Sequence, residues 1–276
     1  MNVNDNHETL ENYEKYLIRE EMSDNTIKAY LWTASYFLEH YHTINKKNIL
    51  KYKSYLIEHF MPRTINSRIY AINRFLLYLN KRTLTLKTIK IQQRTFLDNV
   101  ISNAEYTRFL KNLKGDNKTK YYMIVRTLAC TGARISELIQ FKIEDVREGY
   151  IDIYAKGGKL RRIYFPKTLQ NELLSWTASE QRECGNLFLN KNGVTISIRG
   201  IEHMLKNYAI KYHMNPLVVH PHSFRHRYAL NFLHNKPKEL IALADILGHS
   251  CLDTTRIYTR RTAQEQYALV NSTVNW

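Results

Sequence analysis

From Ile27 to Tyr41 the chain repeats apolar side chains at three- and four-residue steps: Ile27, Tyr30, Leu31, Ala34, Phe37, Leu38 and Tyr41. That spacing puts all seven on one stripe of an α-helix, whereas a strand would alternate its faces every second residue. Such a stripe has to be covered by other elements, so this region reads as part of a helical bundle. Ser23 stands just before the stripe, in the place of an N-cap. A second stripe, Ile65, Ile69, Ile72, Phe75, Leu76 and Leu79, follows Pro62, which suits a first helical turn. Helical segments near residues 8–21 and 46–60 complete a four-helix unit.

The helical pattern weakens between Thr83 and Phe96, a polar and basic stretch. It resumes at Ser102, whose partner Glu105 completes a capping box. A helix over about residues 118–131 ends at Gly132, where a left-handed cap forms easily. The run "YIDIYAKGGKLRRIYF" holds two β-rich segments around Gly157-Gly158 and predicts a two-residue hairpin. Short helices fill most of the rest, with a small strand at "LFLN" before Asn192-Gly193. The expected fold is mainly α with a small antiparallel β-sheet. Residues 1–86 form a helical domain, 87–96 a linker, and 97–276 a second domain with a C-terminal tail helix.

Charge narrows the function. The 276 residues carry 41 Lys+Arg against 25 Asp+Glu, a net of +16, which points to a polyanionic partner. Residues 1–86 hold 12 basic and 9 acidic residues, net +3, and residues 87–276 hold 29 and 16, net +13. A generally basic, nucleic-acid-associated surface would give the same balance, so charge alone does not decide. Cys130, Cys184 and Cys251 form no C-x-x-C pair, which suggests a reducing compartment and no structural zinc. The polar, acidic N-terminus has no signal-peptide core, and no apolar run nears the roughly 18 residues of a membrane span. A cytoplasmic, nucleoid-associated protein without membrane contact is expected.

Six residues in the second domain combine into one chemistry: Arg134, Lys156, His222, Arg225, His249 and Tyr258. Phosphoryl transfer spreads negative charge over equatorial oxygens, and a planar, always-protonated guanidinium binds two of them at once. Arg134 follows Gly132-Ala133 at the start of a helical turn, where backbone N–H groups also favour an anion. Arg225 lies three residues after His222, so both share a helix face. Lys156 stands at the mouth of the hairpin, where it can protonate a leaving oxygen; Lys159 across the turn is its rival. His222 and His249 carry the one ordinary side chain whose pKa lies near neutrality, so they can donate or accept within a site. His220, His222 and His226 lack zinc-site spacing, so no metal is expected. Tyr258 is one of 20 tyrosines. A phenol with a pKa of about 10 becomes a nucleophile only beside cations and a proton acceptor. For any isolated arginine, turn lysine or tyrosine among these, a solvated or packing role would be the ordinary reading.

These residues, in this order, resemble the tyrosine recombinase (phage integrase) family, in particular its Xer-like and transposon-resolution members. "LACTGARISEL" is similar to the first arginine box, "HSFRHRYALNFLH" to the His-x-x-Arg box, and "ILGHSCLDTTRIYTR" to the closing box with the second histidine and the nucleophile. The family's hairpin lysine falls at Lys156, and Glu137 falls where relatives carry a supporting acid. The resemblance covers about residues 97–276, with a weaker one at "SDNTIKAYLWTASYFLEHY" to the core-binding domain. Phe224 in place of leucine, and Arg227-Tyr228 in place of smaller residues, depart from the pattern and bear on helix packing.

The resemblance implies a two-domain clamp around duplex core sites and a homotetramer pairing two sites. Cleavage would leave a 3′-phosphotyrosine, and strand exchange would run through a Holliday junction with no metal or ATP. Arg63, Arg68, Arg74, Lys81, Arg82, Lys159 and Arg161 are candidate DNA contacts. The tail after Tyr258 would dock on a neighbouring protomer or fold back on its own domain. Two rivals remain: a type IB topoisomerase using the same chemistry without joining sites, and a DNA-binding regulator without cleavage. The biological role, whether resolution or integration and excision for a mobile element or plasmid, is not written in these motifs.

Overall fold

The computed structural model describes residues 3–91, 99–154, 160–248, 255, 258 and 263–274. The chain divides into two compact units between Gln93 and Arg94.

The first unit is built on helices α1 (Val3–Arg19), α2 (Asp24–Tyr41), α3 (Lys46–His59) and α4 (Pro62–Tyr78), followed by a 3-10 turn over Arg82–Leu84. The stripe residues Ile27, Ala34, Phe37 and Leu38 of α2 and Ile65, Ile69, Ile72, Phe75 and Leu76 of α4 are buried together with Tyr13, Leu17, Ile49, Tyr52 and Leu56. Ser23 occupies the N-cap of α2, but its hydroxyl bonds the Thr26 hydroxyl at 2.8 Å rather than a backbone N–H. Asn45 caps α3 by accepting from the Asn48 N–H, and Pro62 opens α4.

Part of the expected linker is packed on this unit. Asn73 exchanges two hydrogen bonds with the Leu86 backbone at 2.8 Å, and Asn66 exchanges two with Ile89 at 2.9 Å. Two carboxamides on one face of α4 thus satisfy backbone groups of a segment that belongs to no helix or strand among the described residues. Leu86 joins the core beneath it.

The second unit holds α5 (Asn103–Gly115), α6 (Thr119–Thr131), α7 (Ile135–Leu138), α8 (Ile143–Glu148), β1 (Tyr150–Tyr154), β2 (Leu160–Tyr164), α9 (Lys167–Ser179), α10 (Ile198–Lys211), α11 (Pro221–Asn235), α12 (Leu240–Leu247) and α13 (Ala263–Thr273). Ser102 and Glu105 form the capping box of α5, through bonds of 3.1 and 2.8 Å. Strands β1 and β2 pair antiparallel, with Tyr150 opposite Tyr164 and Tyr154 opposite Leu160. The Gly157-Gly158 turn lies outside the described residues.

The core is centred on Phe109, Ile124, Leu128, Phe141, Leu169, Leu173, Phe188, Ile201, Leu205 and Phe224. The strand expected at "LFLN" is instead a loop with isolated bridges, Lys142 to Asn186 and Leu189 to Thr195. Leu187 and Phe188 are both buried, and their backbone groups pair singly, the Leu187 N–H with the Phe141 carbonyl and the Phe188 carbonyl with the Ile196 N–H, rather than in a continuous ladder. The Asn190 side chain closes this loop by accepting from the N–H groups of Asn192 and Val194.

Candidate active site

Five elements of the second unit converge: the end of α6, the turn α7, strand β2, helix α11 and the end of α12. Gly132 ends α6 with φ +62°, and a Cβ there would stand 2.7 Å from the Tyr228 ring, so glycine answers both requirements. Arg134 caps α7, its N–H donating to Glu137 Oε2 at 2.6 Å and its Nη1 to Glu137 Oε1 at 2.8 Å. Its Nη2 faces the Gly248 carbonyl at 3.4 Å. The guanidinium is thereby aimed, yet its side chain remains 34% exposed and can meet a ligand.

Glu137 is held from the other side by Arg161. Arg161 was expected as a DNA contact, and the structure corrects this, because it is 4% exposed. Its Nη1 donates to both Glu137 oxygens at 2.7 Å, and its Nε donates to the Ile246 carbonyl at 2.8 Å. Strand parity is the reason: Arg161 and Ile163 face inward, while Leu160, Arg162 and Tyr164 face out. Gly248, at φ +63°, admits this arginine, since a Cβ there would lie 2.5 Å from Arg161 Cδ. Burial pushes the Glu137 pKa up. The Arg161 charge and the Arg134 bonds outweigh it and hold the carboxyl below its ordinary value.

Helix α11 begins with His220 as N-cap, accepting from the Ser223 N–H, and Pro221 in the first turn. Ser223 Oγ accepts from the Ile101 N–H at 2.7 Å, and Arg227 Nε donates to the Ile101 carbonyl at 2.6 Å. Phe224 is fully buried in the core, and Tyr228 covers Gly132, so the departures from the family pattern are absorbed by packing. Arg225 is 3% exposed. Its Nη1 donates to the Gly132 carbonyl at 2.6 Å and its Nη2 to the Leu247 carbonyl at 2.7 Å, joining the ends of α6 and α12. Burial, then the charges of Arg161 and Arg134, lowers its pKa to about 10, which leaves it a cation at neutral pH. His222 is open to solvent on one side of α11. Desolvation by its neighbours and the charges of Arg225 and Arg134 hold its pKa below the ordinary value.

Tyr258 completes the group. It is 4% exposed and packs with Ala229, Leu233, Leu243 and Leu247, beside the main core. Its hydroxyl lies 2.9 Å from His226 Nδ1 and bonds the Arg225 side chain. Burial raises its pKa, and Arg225 and Arg134 only partly offset this, so the free protein holds a phenol rather than a phenolate.

The described residues therefore bring together Arg134, Glu137, His222, Arg225 and Tyr258. Lys156, Lys159 and His249 lie outside the described residues. His226 and the inward role of Arg161 escaped the sequence reading, although both had signals. His226 follows His222 by one helical turn, and Arg161 is in phase with Ile163. Among the described residues, no group of three or more His, Cys, Asp or Glu could hold a metal ion, and no helix is long and apolar enough to cross a membrane.

The candidate DNA contacts in the first unit differ in availability. Arg63 is exposed, and Arg68 stacks its guanidinium 3.6 Å over the exposed Trp32 ring while bonding the Thr33 hydroxyl at 3.0 Å. Both line a groove between α2 and α4 with Lys28, Thr64 and Ser67. Arg74 is engaged by Glu20, whereas Lys81 and Arg82 are exposed.

Comparison with known proteins places this constellation. The phage integrase family pattern matches residues 99–265. The tyrosine recombinase XerA of Pyrococcus furiosus is 30% identical over 266 residues, covering 93% of this chain and 91% of that protein. The TnP I resolvase of Bacillus thuringiensis is 26% identical over 272 residues, covering 90% and 93%. In fold, the chain matches the structure of the Tn1549 transposon integrase in complex with transposon right end DNA. The TM-score is 0.71 at 17% identity, over 96% of this chain and 99% of that one. The matched span contains Arg134, Arg225 and Tyr258, and the chain belongs to the phage integrase family: it is a tyrosine recombinase, an enzyme that cleaves and rejoins DNA.

Proposed function

We propose that the chain is a site-specific recombinase that exchanges strands between two core sites through a 3′-phosphotyrosine on Tyr258 and a Holliday junction. The observation that carries this reading is the buried Tyr258 hydroxyl, bonded to Arg225 within a site that also holds Arg134. A scissile phosphate bound by these two arginines has its equatorial oxygens met by fixed charges, the arrangement that stabilises a developing oxyanion. Tyr258 attacks phosphorus, and the 5′ oxygen leaves with a proton from Lys156 on the hairpin. His222 and His249 bond the non-bridging oxygens. Glu137, tied to Arg134 and Arg161, fixes the first arginine without touching DNA.

The phosphotyrosine retains the energy of the broken bond, so the reading calls for no ATP and no metal. Arg63 and Arg68, with Lys81 and Arg82, serve as phosphate contacts of the first unit. The assembly is a homotetramer on two paired sites, acting on DNA in the cytoplasm. The likeness to the TnP I resolvase favours resolution or excision for a mobile element or plasmid. A plasmid carrying two direct copies of the DNA flanking the gene tests the reading. Two smaller circles are expected from the wild-type chain and none from Tyr258→Phe. Relaxation of supercoils on DNA without any such site, with no circle formation, would make the chain a topoisomerase instead.

A further inference from the structure

The Tyr258 hydroxyl has one hydrogen, and its neighbours dictate where that hydrogen goes. A guanidinium has donors and no acceptor, so in its bond to Arg225 the tyrosine oxygen must accept. Among the described residues, the acceptor within reach of the hydroxyl proton is His226 Nδ1, at 2.9 Å. That assignment requires a neutral imidazole with its hydrogen on Nε2. Burial first, then the proximity of His222, His220 and Arg225, lowers the His226 pKa to about 4, so the ring is neutral at neutral pH, and accepting the Tyr258 proton at Nδ1 places its own hydrogen on Nε2. The two rings stand 5.4 Å apart, centroid to centroid, and His226 shares helix α11 with Arg225, so acceptor and arginine are placed by one rigid element.

From this geometry, and resting on the reading of Tyr258 as the nucleophile, we propose that His226 is a catalytic residue: it takes the Tyr258 proton during strand cleavage and returns it during resealing. As the bond from Tyr258 Oη to phosphorus forms, the Oη–H bond breaks and its proton moves to Nδ1, giving an imidazolium. The bond from phosphorus to the 5′ oxygen breaks, and that oxygen takes its proton from a separate acid on the far side of the phosphate. Resealing reverses each transfer. The attacking 5′ hydroxyl gives its proton back to that acid, and Oη leaves phosphorus with the proton held by His226. An isolated phenol would not yield its proton to so weak a base. The transfer becomes favourable because the oxygen turns acidic as it bonds phosphorus, and the dianionic phosphorane beside His226 stabilises the imidazolium.

The two directions separate this role from a purely orienting one. In resealing the tyrosine is already covalently fixed, so a residue that only aims its hydroxyl has little left to do. The experiment uses the full chain with His226→Ala and with His226→Asn. Asparagine keeps an acceptor near the place of Nδ1 but cannot carry the proton. Half-site binding by gel shift checks folding, a nicked suicide substrate reads cleavage, and a 5′-hydroxyl strand added to the trapped adduct reads resealing. Cleavage and resealing should each fall by about 10²–10⁴ in both variants, as for loss of a general acid–base group, with binding kept. Wild-type cleavage in either variant, or slowed cleavage with unchanged resealing, would overturn the proposal. If wild-type adduct mapped to a tyrosine other than Tyr258, the underlying reading would fail first, visibly and separately.

Discussion

Glu137→Gln isolates the link between the buried charges and the reactive arginine. The side chain keeps its volume and one acceptor but loses its charge, while Arg161 stays 4% exposed against the Ile246 carbonyl. Breaking a buried ion pair from one side strands the other charge, at a cost of about 3–5 kcal/mol. For a unit of this size each kcal/mol lowers the melting temperature by roughly 2–4 °C, so a fall of about 6–20 °C is expected for the second unit. Because the Glu137 pKa is depressed in the folded state, its contribution is present above the unfolded carboxylate pKa and lost as pH falls through the folded one. The wild-type minus variant difference should therefore be full at neutral pH and shrink under acid. Thermal and urea unfolding across this range measure both effects.

The double variant Glu137→Gln/Arg161→Met removes the stranded charge and should recover most of the stability. Cleavage should stay slow, since Arg134 loses its charged partner in both variants. A single-variant loss below about 1 kcal/mol, or recovery of cleavage together with stability, would refute the reasoning.

Arg225→Lys keeps a cation but cannot serve the Gly132 and Leu247 carbonyls together as the guanidinium fork does. Suicide-substrate cleavage should drop by about 10²–10³ while half-site affinity holds; equal losses in both would make Arg225 a simple phosphate contact. Arg68→Ala should weaken binding across sequences and reduce the slope of log affinity against log salt by about 1, read by gel-shift titration. An unchanged slope would confine Arg68 to packing on Trp32.

Much of this molecule was legible in its sequence. The stripes of α2 and α4 named their own buried residues, the Ser102–Glu105 box set the start of α5, and Gly132 set the end of α6. Local rules suffice there because the signals lie within a few residues of the structure they dictate. What escaped depends on distant partners. Arg161 looked like surface charge until Glu137 and the bare backbone at Gly248 gave it an interior place. Asn66 and Asn73 gave no hint that they would lace an extended segment onto α4. His226 was visible only as one of three nearby histidines, because its partner Tyr258 is 32 residues away. Of the supports that aim Arg134, the sequence points to Glu137 through the resemblance, whereas Arg161, which holds Glu137 from the other side, has no such pointer.

The central claim is that Tyr258 forms the bond to DNA, and one measurement addresses it directly. A labelled, nicked duplex carrying the core site would trap the covalent adduct, and digestion with peptide mapping would locate it. The account predicts the label on the peptide containing Tyr258, and no adduct from Tyr258→Phe despite retained binding. Label on Tyr267, which is 70% exposed on α13, or on any other tyrosine would contradict it.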